Sequence, residues 1–309
     1  MVAAPATTMA VRSPRGGSGA VDMSRRSYAA CAQTDVGAGD GTPPPTVTGK
    51  AGSARIDGMS DNDGGDTAAG GDGDGAYVGL FSGGKDSSWA VYRALERGLP
   101  VERLLTVHPA GDSYMYHVPE TRLAALAAES IGLPLVEVEP EDFHAGEATD
   151  SGAQGDSELE PMEAALTDLA ADLPLAGVTA GAVESEFQTS RIEAMCDRLG
   201  IDLFAPLWQR DPRTLAEEMI DAGFEIRILQ VAAAGLDESW LGRTIDREAL
   251  AELERLNDEY GVHVLGEGGE FETFVVDGPH MDRRIEVEYD TEWDGTRGRI
   301  RVTDARLAE

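Results

Sequence analysis

Residues Tyr77–Leu95, YVGLFSGGKDSSWAVYRAL, constrain the fold more than any other stretch of the chain. Tyr77–Phe81 is an apolar run of strand length. Ser82, Gly83, Gly84, Lys85, Asp86 and Ser87 follow at once, and Ala90, Val91, Ala94 and Leu95 then recur at helical spacing before Gly98. The pattern predicts a strand, a glycine turn and a helix. Glycines lack Cβ and let the backbone approach a ligand closely. The N–H groups that open a helix have no intrahelical partner and carry the positive end of its dipole, so an anion suits that position. Lys85 adds a full charge. The stretch predicts a cradle for phosphate or pyrophosphate.

Lysine usage sharpens this. Of 25 Lys and Arg residues, only Lys50 and Lys85 are lysine. Arginine holds every other cationic position in the part expected to fold. A compact ammonium suits a phosphate point contact where a planar fork does not.

Residues 1–75 are rich in Gly, Ala, Ser, Thr, Pro and Asp without periodicity, so they are expected to be a disordered, low-complexity extension. The first 58 residues carry six basic and four acidic residues, although the whole chain has a net charge of −32. The sign changes near Met59-Ser60-Asp61, which resembles a natural acidic start; translation from Met59 is expected. The acidic excess, with Arg favoured over Lys, points to a cytosol of very high salt, where screening weakens self-repulsion. No basic patch offers a nucleic-acid surface. Two cysteines, Cys31 and Cys196, build no disulfide framework, which fits a reducing interior. No membrane-length apolar run and no secretory h-region are present, so a cytoplasmic location without a membrane partner is expected.

Further strands are expected at Val101–Val107, Leu135–Val138, Leu175–Ala180 and Ile201–Phe204, alternating with helices over about 119–130, Pro161–Ala171 and a segment ending near Gly200. This implies a doubly wound, parallel, five-stranded α/β sheet over 76–206, interrupted by an acidic insertion at about 145–158. Ligands bind past the carboxyl ends of such strands. Ser82–Ser87, His108–His117 and Gly181–Arg191 fall there. In the third stretch the apolar stripe Ile192, Met195, Cys196, Leu199 extends back to Gln188 and Ser185, which suggests polar groups turned to a ligand; capping by Ser185 or Thr189 is the alternative. Cys196 lies in the stripe and reads as a packed core residue. A smaller α+β domain over 207–309 should follow. It is expected to have a helix capped by Asp211 with Pro212 at its first position, a strand Phe224–Ala232, a helix Asp246–Tyr260 and a terminal hairpin through Asp294–Gly295. Between the last two lies the glycine-rich loop Gly266–Phe274, with Glu267, Glu270 and Glu272 as a concentrated negative site or, alternatively, a plain acidic turn.

Gly79–Lys85 also matches most of a Walker A pattern, but Asp86 stands where that pattern needs a Ser or Thr hydroxyl for Mg²⁺, so the Walker reading fails at its metal position. Ser-Gly-Gly-Lys-Asp-Ser after a strand instead resembles the loop of the ATP pyrophosphatases (PP-loop superfamily), whose fold is the adenine-nucleotide alpha-hydrolase-like (HUP) sheet. Ser113–His117 (SYMYH), Glu184–Glu193 (ESEFQTSRIE), Pro206–Trp208 (PLW), Gly242 near Asp246, and Gly266–Thr273 (GEGGEFET) resemble the diphthine–ammonia ligase family. The resemblance covers about residues 77–280. Phe187 departs from it, standing where many members carry Tyr.

The resemblance implies adenylation of the diphthine carboxylate on translation elongation factor 2 by ATP, then attack by ammonia, giving diphthamide, AMP and pyrophosphate. Ser82, Gly83, Gly84, Lys85 and Ser87 would hold the pyrophosphate, with Asp86 orienting Mg²⁺. His117, Gln188 and Arg191 would face the nucleotide. Lys85, Asp86, Glu267, Glu270 and Glu272 form the expected catalytic set. The three glutamates would attract the quaternary ammonium of diphthine and the incoming ammonium, one of them acting as base. A homodimer is compatible with the sequence. Rival readings are a PP-loop ATPase that thiolates or lysidinylates transfer RNA, and a regulatory ATP-binding protein without turnover.

Overall fold

The computed structural model describes residues 75–108, 118–138 and 151–309, all within one unit of the chain. The expected extension before residue 75, the start at Met59, Cys31, His117 and positions 145–150 of the insertion lie outside the described residues.

The glycine stretch forms the predicted motif: strand β1 (Ala76–Leu80), a turn, and helix α1 (Lys85–Glu96). Strands β2 (Val101–Val107), β3 (Leu135–Val138), β4 (Leu175–Thr179) and β5 (Asp202–Phe204) join β1 in a five-stranded sheet of order β3-β2-β1-β4-β5, parallel throughout. Strand order reverses between β1 and β4. The crevice at their carboxyl ends is the switch point where such sheets take ligands.

Alternation along the strands sorts side chains to two faces. Leu104 of β2 packs with Trp89 and Val91 of α1 and with Leu123 of α2 (Val118–Ile131). Its neighbour Leu105 packs with Leu166 of α3 (Ser151–Asp172) and Met195 of α4 (Glu186–Leu199) on the other side. Cys196 is buried in that second cluster, as the stripe predicted. Burial, with Asp197, Asp202 and Glu193 adding to it, pushes its thiol up to about 12, so it is a core residue rather than a nucleophile.

The remainder comprises α5 (Pro212–Asp221), β6 (Glu225–Val231), a 3₁₀ turn at Glu238–Trp240, α6 (Arg247–Tyr260), β7 (Phe271–Asp277), β8 (Ile285–Trp293) and β9 (Gly298–Leu307). The predicted Asp211 cap is present, and Asp246, expected as the first helical residue, caps α6 instead. Asp211 accepts from Thr214 N at 2.8 Å with Pro212 behind it, and Asp246 accepts from Ala249 N at 2.8 Å. The four strands form an antiparallel sheet of order β7-β6-β9-β8. Ile228, Leu253, Phe274 and Val302 share one continuous apolar cluster with Trp89, Val91 and Leu123, so α1 lies between the two sheets. Trp89, Tyr92, Phe224 and His280 cluster at this seam, edge-on or tilted except for Phe224 and His280, which stack with ring centres 5.1 Å apart. The β8–β9 hairpin carries its charges on the wet face, in pairs such as Arg306–Glu286 at 2.6 Å. Such exposed pairs add little stability.

Two elements differ from expectation. Helix α3 begins at Ser151, not at Pro161, and therefore enters the stretch expected to be insertion. Proline is free of cost at the first helical position, which made Pro161 look like a start; here it sits inside the helix and forgoes one backbone bond. The glycine-rich loop also ends sooner. Phe271 begins β7, so Glu272 and Thr273 are strand residues. Among the described residues no helix is long and apolar enough to cross a membrane.

Candidate active site

The β1–α1 turn is braced by the second sheet. Val275 N of β7 donates to Gly83 O at 2.9 Å, and Lys85 N donates to the Thr273 hydroxyl at 3.3 Å. Gly83 has φ +81°, and a Cβ there would lie 2.6 Å from the Phe274 ring, so both conformation and space call for glycine. Within the turn, Ser82 N donates to Ser87 Oγ at 3.2 Å and Gly84 N to Ser82 Oγ at 3.3 Å, while the two serine hydroxyls are 3.1 Å apart. Gly84 caps α1 with no side-chain bond to the helix. Residues that the sequence marks as a phosphate cradle thus form one small hydroxyl-lined ring at the amino end of a helix.

The β4–α4 connection closes the other side. A Cβ on Gly181 would lie 2.7 Å from Asp86 O, so this backbone presses on the first turn of α1. Beyond it, Val183 O accepts from Gln209 N at 2.8 Å, and the Glu184 side chain, 51% exposed, stands at the mouth.

Lys85 is the centre of the arrangement. Its residue is 4% exposed, and its ammonium donates to Asp86 Oδ2 at 2.6 Å and to Glu267 Oε1 at 3.4 Å. Burial works against the Lys85 charge, but Asp86 and then Glu267 outweigh it, and the pKa is raised. Glu267 responds oppositely. Loss of water, with the nearby Asp86 charge acting the same way against the pull of Lys85, pushes its carboxyl up to about 7. Asp86 Oδ1 is buried and accepts no hydrogen bond among the described residues.

The three glutamates have different surroundings. Glu270 turns back on its own loop, where Oε1 accepts from His263 N at 3.0 Å and Oε2 from Gly268 N at 2.8 Å. Glu272 is raised by desolvation, with Lys85 opposing and Asp86 reinforcing, but sits on β7. Glu267 alone of the three reaches Lys85 by a hydrogen bond among the described residues. Gln188 and Arg191 both lie in α4, in the first half of the helix after the β4 connection. Nearby, the Thr189 hydroxyl is buried without a hydrogen-bond partner among the described residues. Among the described residues no three His, Cys, Asp or Glu side chains converge to hold a metal on their own.

Sequence reasoning passed over His263. Its Nδ1 accepts from Leu265 N at 3.2 Å and Glu267 N at 3.3 Å, and its Nε2 lies 3.5 Å from Glu184 Oε2. No spacing rule marks a lone histidine before a glycine loop. Its contacts exist only once that loop closes.

The two segments that meet at this site each match a known family. A family model described as the diphthamide synthase N-terminal domain matches residues 75–203, and one described as the diphthamide synthase C-terminal domain matches 211–307. The chain belongs to the diphthamide synthase family. Its N-terminal match ends in β5 and its C-terminal match begins at the Asp211 cap of α5. Relatives named diphthine–ammonia ligase are 36% identical in Danio rerio, over 221 residues spanning 68% of this chain and 86% of the relative, and 35% identical in Homo sapiens, over 223 residues spanning 68% and 81%. A Saccharomyces cerevisiae relative of the same name is 33% identical over 66% of this chain, which spans 33% of that longer protein. In this diphthamide synthase family member, Lys85, Asp86 and Glu267 bring the two matched segments into contact at one point.

Proposed function

We propose that this chain is a ligase that amidates diphthine on translation elongation factor 2, using ATP and ammonium and releasing AMP and pyrophosphate. The observation that carries the reading is the position of Lys85 Nζ between a carboxylate of the glycine turn and one of the acidic loop, 2.6 Å and 3.4 Å away. Phosphate chemistry and cation chemistry share one side chain.

In the first step a diphthine carboxylate oxygen attacks the α-phosphorus and the bond to the bridging oxygen breaks. Pyrophosphate leaves into the ring formed by Ser82, Gly83, Gly84 and Ser87, with Lys85 exchanging its carboxylate partners for phosphate oxygens. In the second step ammonium gives a proton to a carboxylate and the resulting ammonia attacks the acyl carbon. A further proton departs as AMP leaves. Glu267 is the best-suited base: its pKa of about 7 leaves it able to accept a proton near neutrality. Both oxygens of Glu270 are committed to backbone N–H groups, so it shapes the loop. Glu272 contributes negative potential that favours the diphthine quaternary ammonium. Gln188 and Arg191 of α4, with His117, are assigned to the nucleotide.

Mg²⁺ fits as a companion of ATP rather than as a resident ion. It is usually held by one or two carboxylates plus substrate phosphates, and Asp86 Oδ1 is an oxygen with no other duty among the described residues. It would supply charge neutralisation on the phosphates. A concentrated-salt cytoplasm accounts for the net charge of −32, and a homodimer remains compatible.

The test is pyrophosphate release from ATP, measured with and without ammonium and with elongation factor 2 carrying diphthine. Release should require the modified factor, and amide formation should require ammonium. Release that depends on RNA, or no release at all, would refute this reading.

A further inference from the structure

A ring nitrogen that accepts a hydrogen bond is the one without a proton. His263 Nδ1 accepts from two backbone N–H groups, of Leu265 and Glu267, at 3.2 Å and 3.3 Å. That assigns the proton of the neutral ring to Nε2, which faces Glu184 Oε2 at 3.5 Å across the mouth of the crevice. The ring is therefore engaged on both sides. It has no free acceptor with which to take a proton from ammonium, so it is not the base. Glu184 and His263 are 51% and 22% exposed, and so open a pair adds little stability. What the ring controls is geometry. The N–H it gathers at Glu267 belongs to the residue whose carboxylate lies 3.4 Å from Lys85 Nζ. On the same turn, Glu270 holds the His263 N–H at 3.0 Å, which fixes the histidine backbone in its turn.

We propose that His263 is a positioning residue for Glu267. Its Nδ1 folds the acidic loop so that the Glu267 carboxylate stays opposite Lys85, while its Nε2 faces Glu184 Oε2 on the nucleotide-binding side. The inference rests on the assignment of Glu267 as the base of the ammonia step. It adds a residue that touches neither nucleotide nor ammonia. Placing the base is its task, so its loss should fall on amidation and spare adenylation. A displacement of about 1 Å at a reacting group costs up to about 100-fold in rate.

Three variants of the full chain separate this role from a merely structural one. His263→Asn places an oxygen at the position of Nδ1. His263→Gln reaches only the position of Nε2. His263→Ala offers neither. Each is assayed for ATP–pyrophosphate exchange with the diphthine-bearing factor, for kcat and KM of ammonium in amide formation, and for the thermal midpoint. His263→Ala should lower kcat of amidation about 10- to 100-fold while exchange stays within about threefold of wild type. Asn should restore most of that loss and Gln should not. An unchanged His263→Ala enzyme, equal failure of Asn and Ala, or a loss shared by exchange and thermal midpoint would overturn the proposal. Wild-type protein without ammonium-dependent turnover would instead overturn the function reading, and this inference with it.

Discussion

Lys85 Nζ and Glu267 Oε1 stand 3.4 Å apart although 182 residues separate them in the chain. The pair joins the turn after β1 to the loop before β7, and the ammonium is shared with Asp86 on the same helix turn. In the proposed reaction that cation would exchange one or both carboxylates for phosphate oxygens.

Replacing Lys85 with Met removes that cation while keeping the apolar stem. AMP formation should fall by about 100-fold or more, in line with the loss of a preorganised group at developing charge. The circular dichroism spectrum should stay native, since the stem keeps its buried place at the start of α1. An active Lys85→Met enzyme would contradict the cradle.

Glu267 should impose a rising limb on the rate of amidation, centred near its pKa of about 7, when free ammonia is held constant. Glu267→Gln should flatten that limb and lower kcat, with adenylation less affected. The stability sign is the reverse. An acid raised in the folded state holds more protons folded than unfolded between about 4.5 and 7, so its ionisation costs stability as pH rises through that window. Glu267→Gln should accordingly melt higher than wild type at pH 8.

His280 predicts an acid limit to the fold. Both its ring nitrogens are buried without partners among the described residues, it stacks on Phe224, and burial lowers its pKa from 6.5 to about 4. The unfolded chain binds a proton that the folded chain refuses, so stability is full above about 6.5 and falls as pH drops toward 4. The loss approaches about 3 kcal/mol at the lower end. Urea unfolding from pH 7.5 to 4.5 should show it, and His280→Phe should remove most of this component.

Gly83→Ala tests the brace between the turn and the second sheet. The alanine would have to hold φ +81° and meet the Phe274 ring at 2.6 Å. A destabilisation of about 1–3 kcal/mol is expected, with a raised KM for ATP. Gly83→Ala combined with Phe274→Leu should recover part of it, because the steric portion is relieved and the backbone portion is not.

Salt should stabilise this chain more than a neutral one. With 57 acidic residues against 25 basic ones, self-repulsion is the default, and the screening length shrinks from about 10 Å at 0.1 M to about 3 Å at 1 M salt. The thermal midpoint and activity should both rise between 0.1 M and 2 M KCl. Flat curves would remove the case for a high-salt interior.

Much of this protein is written locally. The β1–turn–α1 unit follows from an apolar run, two glycines and a helical stripe that are contiguous in the chain. The Asp211 and Asp246 caps follow from a side chain and an N–H three residues apart, and the parallel sheet from strands alternating with helices. Period-2 burial even separated Leu104 from Leu105. These features depend on neighbours within one or two turns, so residue order alone determined them. Pro161 misled because its cost depends on where a helix begins, and α3 begins ten residues earlier, at Ser151. Which of the three carboxylates comes to lie beside Lys85 was not local. Glu267, Glu270 and Glu272 look alike in sequence. Only the folded loop turned Glu270 onto its own backbone, set Glu272 on β7 and left Glu267 beside Lys85. Electrostatic coupling and desolvation depend on separations in space. Those separations were set by the shared core that packs the second sheet against α1.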